Sequence, residues 1–194
     1  MLGLMQDQPL LVSSLIEFAA RHHADAEIVS RRVEGDLHRY TYAQAAARSR
    51  QVARALDRLG LGFSDRVGTL AWNGYRHFEL YFGVSGSGRV VHTINPRLSP
   101  EQVVWIANHA EDQVLCFDMT FLPIIKAIGK QCTTVKHWIA LCDADALPAD
   151  TGIAGLQSYE AWIGSEPAAY DWPDFDERSA CALCYTSGTT GNPK

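Results

Sequence analysis

Residues 66–96 read RVGTLAWNGYRHFELYFGVSGSGRVVHTINP, and their pattern decides the fold. Residues 66–72 form an apolar run that reads as a buried strand, stopped by the turn signal Asn73-Gly74. Phe78, Leu80, Tyr81, Phe82 and Val84 then make a helix with a wide apolar face that fades through residues 83–88. Residues 90–94 form a second strand, and Asn95-Pro96 turns the chain. A strand, a helix and a strand in this order predict a right-handed crossover between parallel strands.

The alternation continues downstream. Ser99 is an N-cap, Pro100 takes the first helical position and Gln102 closes a capping box, which predicts a helix to about Ala110. A strand over 113–117, a helix over 121–128 and a strand over 135–141 follow. Residues 143–180 are weaker, with one short helix over 159–163, and residues 181–186 read as a last strand. Upstream, Ser14 and Glu17 predict a capping box and a helix to about Arg21. Strands over 27–33 and 37–40 around Glu34-Gly35-Asp36 predict a β-hairpin near the N-terminus. Thr41 can cap a helix that Gly60 ends. The expected class is α/β, a mainly parallel sheet flanked by helices.

Bulk properties narrow the function. The 194 residues are 47% hydrophobic and 20% charged, an ordinary globular balance that needs no disulfide or metal to hold a core. The net charge of −5 argues against a nucleic-acid surface. No apolar stretch approaches a membrane span, and the N-terminus lacks a basic region before an apolar one, so neither a transmembrane segment nor a signal peptide is expected. Five irregularly spaced cysteines point to reduced thiols and a cytoplasmic protein.

After the last strand stands Tyr185-Thr186-Ser187-Gly188-Thr189-Thr190-Gly191-Asn192-Pro193-Lys194. Glycines let backbone N–H groups approach an anion, hydroxyls bond phosphate or a hard cation, and lysine adds a compact charge. The carboxyl end of a strand is where ligands collect in open α/β sheets. It is not a Walker A loop, because Pro193 rather than Gly precedes Lys194. By composition alone it reads equally as a phosphate loop or as a solvated turn.

The order of these residues resembles the phosphate-loop signature of the adenylate-forming superfamily. Residues 38–56, 66–112 and 113–118 resemble the N-terminal region of its AMP-forming fatty-acyl-CoA ligases, most of all the medium- and long-chain group and 3-methylmercaptopropionyl-CoA ligases. The resemblance implies the N-terminal part of an AMP-binding domain over 1–194, truncated at the phosphate loop. It implies a reaction in which a fatty or related carboxylic acid is activated by ATP as acyl-adenylate and passed to coenzyme A. Thr186, Ser187, Gly188, Thr189, Thr190, Gly191 and Lys194 would bind the nucleotide phosphates, with Thr189 also assisting Mg²⁺. No catalytic residue of the family falls within these positions, so the piece alone is expected to be inactive. Another adenylating enzyme, such as an aryl-acid ligase or a peptide-synthetase domain, or a non-catalytic product, stays open, and a homodimer is allowed.

Other constellations read as structural. Cys181 and Cys184 lie three apart in a strand, on opposite faces, and so cannot clamp one metal; they read as buried thiols. His77-Phe78-Glu79 with this C-x-x-C resembles a zinc-deaminase pattern, but Ala180 stands where that motif needs proline. His77 and Glu79 are expected on a helix, partly exposed. The strand ends Trp72-Asn73 and 92–96 read chiefly as turn chemistry, with His92 the strongest candidate to line a ligand crevice.

Overall fold

A computed structural model describes residues 3–186 of the chain. Helix α1 (Val12–His22) leads into an antiparallel hairpin, β1 (Glu27–Arg31) and β2 (Leu37–Thr41), and then the long helix α2 (Tyr42–Arg58). Strands β3 (Arg66–Leu70), β4 (Val90–Thr93), β5 (Asp112–Phe117), β6 (His137–Ala140), β7 (Gln157–Ser158) and β8 (Ala182–Cys184) form one sheet in the order β7-β6-β5-β3-β4-β8. Every pair in it is parallel. Helices α3 (Tyr75–Gly86), α4 (Pro100–His109), α5 (Leu122–Ile128) and α6 (Tyr159–Gly164) alternate with these strands. The α/β class, the parallel sheet and the hairpin therefore stand as expected; the short strand β7 has no counterpart in the sequence reading.

Strand β3 lies between β4 and β5, so right-handed crossovers carry α3 and α4 to opposite faces of the sheet. On one face Leu80 and Val84 of α3 join Val52 and Leu56 of α2 and Trp162 of α6 over Val67, Val91 and Val114. On the other, Val103 and Ile106 of α4 and Ile125 of α5 pack on Leu70, Leu115 and Phe117. Each such side chain, fully buried, contributes about 1.5–3 kcal/mol from apolar transfer. Close approach fixes one position: a Cβ on Gly83 of α3 would come within 2.8 Å of the Ser49 carbonyl and closer still to Val52, so only glycine permits this α2–α3 crossing.

Capping follows the sequence at two helices and departs from it at a third. Thr41 with Gln44 and Ser99 with Gln102 form complete capping boxes. In α1 the N-cap is Leu11, and the Ser14 hydroxyl donates to the Leu11 carbonyl instead. Glu17 is unavailable for the expected box because it takes a bidentate pair from Arg50 and a hydrogen bond from the Trp172 indole.

His77 and Glu79 lie on α3 as expected, but both are buried rather than partly exposed. His77 turns toward Thr69 and the Trp72 carbonyl, whereas Glu79 joins a network of ions under α2, α3 and α6. The Arg48 guanidinium donates to Glu79 at 2.8 Å and to Glu160 at 3.0 Å, and the Tyr159 hydroxyl donates to Glu79 at 2.8 Å. Arg76, also buried, donates to Glu160, Glu34 and Asp143, which brings in the hairpin turn and the segment after β6. Burial pushes the Glu79 carboxyl up despite Arg48. At Glu160 burial also acts to raise the pKa, but Arg48, Arg76 and Tyr75 prevail and hold it low. Removing one partner of a buried pair strands the other. Arg48→Met is expected to cost about 3 kcal/mol, and adding Glu79→Gln to recover part of that loss. Urea denaturation of the two single variants and the double variant checks this; strictly additive losses would contradict it.

Candidate functional site

The carboxyl ends of β3, β4 and β8 lie side by side. Because the chain leaves β3 toward one face and β4 toward the other, these ends part and leave a crevice of about 270 Å³. Ala71 and Asn73 after β3, Thr93 to Pro96 at and after β4, and Cys184 and Tyr185 at the end of β8 line it, with His77 and Tyr81 of α3 as a wall. The pairing of Thr93 with Cys184 aligns β8 so that the chain leaves the sheet at this crevice. Thr186, the next residue, is exposed. Ser187, Gly188, Thr189, Thr190, Gly191 and Lys194 lie outside the described residues.

Two buried side chains hold the turn that forms one lip of the crevice. Asp118, just past β5, accepts a hydrogen bond from the Trp72 backbone N–H at 2.6 Å. His77 contacts the Trp72 carbonyl through Nδ1 at 3.2 Å and the Thr69 hydroxyl through Nε2 at 3.0 Å. A carbonyl only accepts, so Nδ1 carries the proton, while the single Thr69 hydroxyl proton is shared between His77 Nε2 and the His92 carbonyl, 3.3 Å away. Burial lowers the His77 pKa, consistent with this neutral ring. Burial pushes the Asp118 carboxyl up to about 6, partly opposed by the Trp72 N–H. A second cavity of about 310 Å³, lined by Ile28, Val29, Phe78 and Tyr75, shares Asn73, His77 and Tyr81 with the crevice.

The structure separates the sequence candidates. Trp72-Asn73 and residues 93–96 do sit at neighbouring strand ends, and Asn73, Asn95 and Pro96 line the crevice. His92 does not. It is fully buried on the α4 side, with Nδ1 2.9 Å from both carboxylate oxygens of Asp112. Gly68 makes room for that pair, since a Cβ there would lie 2.6 Å from Asp112 Oδ2. The alternation of strand side chains sends His92 to the face opposite its neighbour Thr93. Cys181 and Cys184 are exposed rather than buried, because β8 is an edge strand with no helix over it among the described residues. Among those residues no group of three His, Cys, Asp or Glu could hold a metal ion, and no helix is long and apolar enough to cross a membrane. Sequence reasoning missed Asp118 and Tyr81; an acid directly after the apolar run QVLCF was the available signal for the first.

The family model described as AMP-binding enzyme matches residues 16–194. The chain is 52% identical over its whole length to a 3-methylmercaptopropionyl-CoA ligase of Ruegeria lacuscaerulensis, of which it spans 36%. It is 47% identical to a medium-chain-fatty-acid–CoA ligase of Ectopseudomonas oleovorans, again along its whole length and spanning 35% of that protein. Among solved structures, the anthranilate CoA ligase AuaEII in complex with anthranoyl-AMP superimposes with a TM-score of 0.81 at 23% identity, over 97% of this chain and 33% of the other. The chain thus spans about a third of the length of the curated relatives it matches.

The Asp118 geometry has a consequence for pH. Its folded pKa lies above the usual carboxylate value, so the fold favours the protonated form, and its contribution to stability falls as pH rises from about 4 to about 6. Asp118→Asn is therefore expected to gain on the wild type across that window, by on the order of 2 kcal/mol at pH 7 relative to pH 4. Denaturant unfolding of both proteins at the two pH values checks this. A stability difference that does not change with pH would contradict it.

Proposed function

The chain belongs to the AMP-binding enzyme family, and from that premise we propose that it forms the N-terminal part, residues 1–194, of the AMP-binding domain of an acyl-CoA ligase. The observation that carries this reading is the placement of β8: the strand leading into residues 185–194 ends at the crevice between β3 and β4. The ligase would join a fatty or related carboxylic acid to coenzyme A with ATP, by way of an acyl-adenylate. The curated relatives support this acid class by their names, a methylmercaptopropionate ligase and a medium-chain-fatty-acid ligase.

The chemistry is a problem of charge, since a carboxylate must approach a polyanion. Positioning and neutralisation supply most of the help in such phosphoryl-centred reactions. Thr186, Ser187, Gly188, Thr190 and Gly191 would surround the terminal phosphates with hydroxyl and backbone N–H donors. Thr189 offers a hard oxygen donor of the kind Mg²⁺ prefers, and Lys194 a point charge. Bound Mg²⁺ supplies further neutralisation of the phosphates. On the described side, the Asp118–Trp72–His77 arrangement keeps the lip of the crevice fixed. The five free cysteines accord with a reducing, cytoplasmic compartment.

Thr189→Ala and Lys194→Ala, made in the full-length protein, are each expected to slow acid-dependent pyrophosphate release by at least about tenfold. Pyrophosphate release at the wild-type rate in both variants would sink the assignment of these residues.

A further inference from the structure

Strand β8 is a slender support for a ligand loop. It is three residues long, and among the described residues it lies at the sheet edge and pairs with β4 alone. Side chains fasten it at both ends. On the α3 side, the Ser85 hydroxyl donates to the Cys181 carbonyl at 2.7 Å. On the α4 side, the Tyr185 hydroxyl is hydrogen-bonded to His109 Nδ1 at 2.6 Å. The His109 ring stacks on Trp105, one helical turn earlier, with centroids 4.5 Å apart and planes 14° apart. Tyr185 meets Trp105 edge-on at 6.1 Å and packs against the ring of the buried His92 at 5.3 Å.

We propose that Tyr185 and His109 are positioning residues for the phosphate loop: their hydrogen bond, backed by Trp105, ties the end of β8 to α4 and so sets where the following loop stands. The inference rests on the functional reading above, in which that loop holds the nucleotide phosphates. A three-residue strand frays readily, and a loop that must present several donors to one anion loses affinity when its root moves. Trp105 restricts His109 to one ring plane, which keeps Nδ1 aimed at Tyr185. Nucleotide affinity then depends on a contact at the root of the loop.

Two readouts test this in Tyr185→Phe, His109→Ala, the double variant and His109→Asn, whose amide oxygen can replace Nδ1. The first is backbone hydrogen exchange over residues 182–194. It is expected to quicken about five- to tenfold in both single variants, no further in the double variant, and to return toward wild type in His109→Asn. The second is pyrophosphate release by the full-length protein, where the loss is expected mainly as a rise in KM for ATP of about three- to tenfold. Unchanged exchange in both single variants, or additive effects in the double variant, would overturn the anchor. A wild-type protein that releases no pyrophosphate with any carboxylic acid would instead overturn the functional reading, while exchange still decides the anchor.

Discussion

The handedness of the crossovers around β3 is the constraint from which the rest of the structure follows. With β4 on one side of β3 and β5 on the other, α3 and α4 must leave toward opposite faces of the sheet. That divergence splits the core into two apolar layers. It also opens the crevice where the ends of β3, β4 and β8 meet. The site is thus a product of topology before any side chain is considered, and the polar residues around it refine a gap that the backbone already makes.

The ion network gives that gap a rigid wall. Arg48, Glu79, Tyr159, Glu160 and Arg76 join α2, α3 and α6, and through Glu34 and Asp143 they reach the hairpin and the segment after β6. Helix α3 carries both Glu79 and Arg76 of this network and His77 and Tyr81 of the crevice. Charges buried in this way add little net stability against an apolar replacement, but they penalise any arrangement that leaves one unpaired. Their effect here is to hold α3 in one register against α2, where Gly83 allows close contact.

Much of this was legible in the sequence because it is local. The period of apolar residues marks the alternating strands and helices, and Thr41-Gln44 and Ser99-Gln102 cap as their spacing predicts. What was not legible depends on partners distant along the chain. Glu17 leaves its expected box for Arg50 and Trp172, 33 and 155 residues away. Glu79 reads as a surface position until Arg48 and Tyr159 are brought to it, 31 and 80 residues away. His92 could not be assigned to a face without knowing that Asp112 and Gly68 make a place for it. The resemblance to adenylating enzymes rests most heavily on residues 185–194, of which the structure describes Tyr185 and Thr186.

In the reading proposed above, the ends of β3 and β4 and the loop after β8 form one nucleotide site. Hydrogen exchange of the full-length protein with and without MgATP tests it most directly. Nucleotide is expected to slow exchange together over residues 71–74, 93–97 and 185–194. Protection confined to other parts of the protein, with these three segments unchanged, would contradict it.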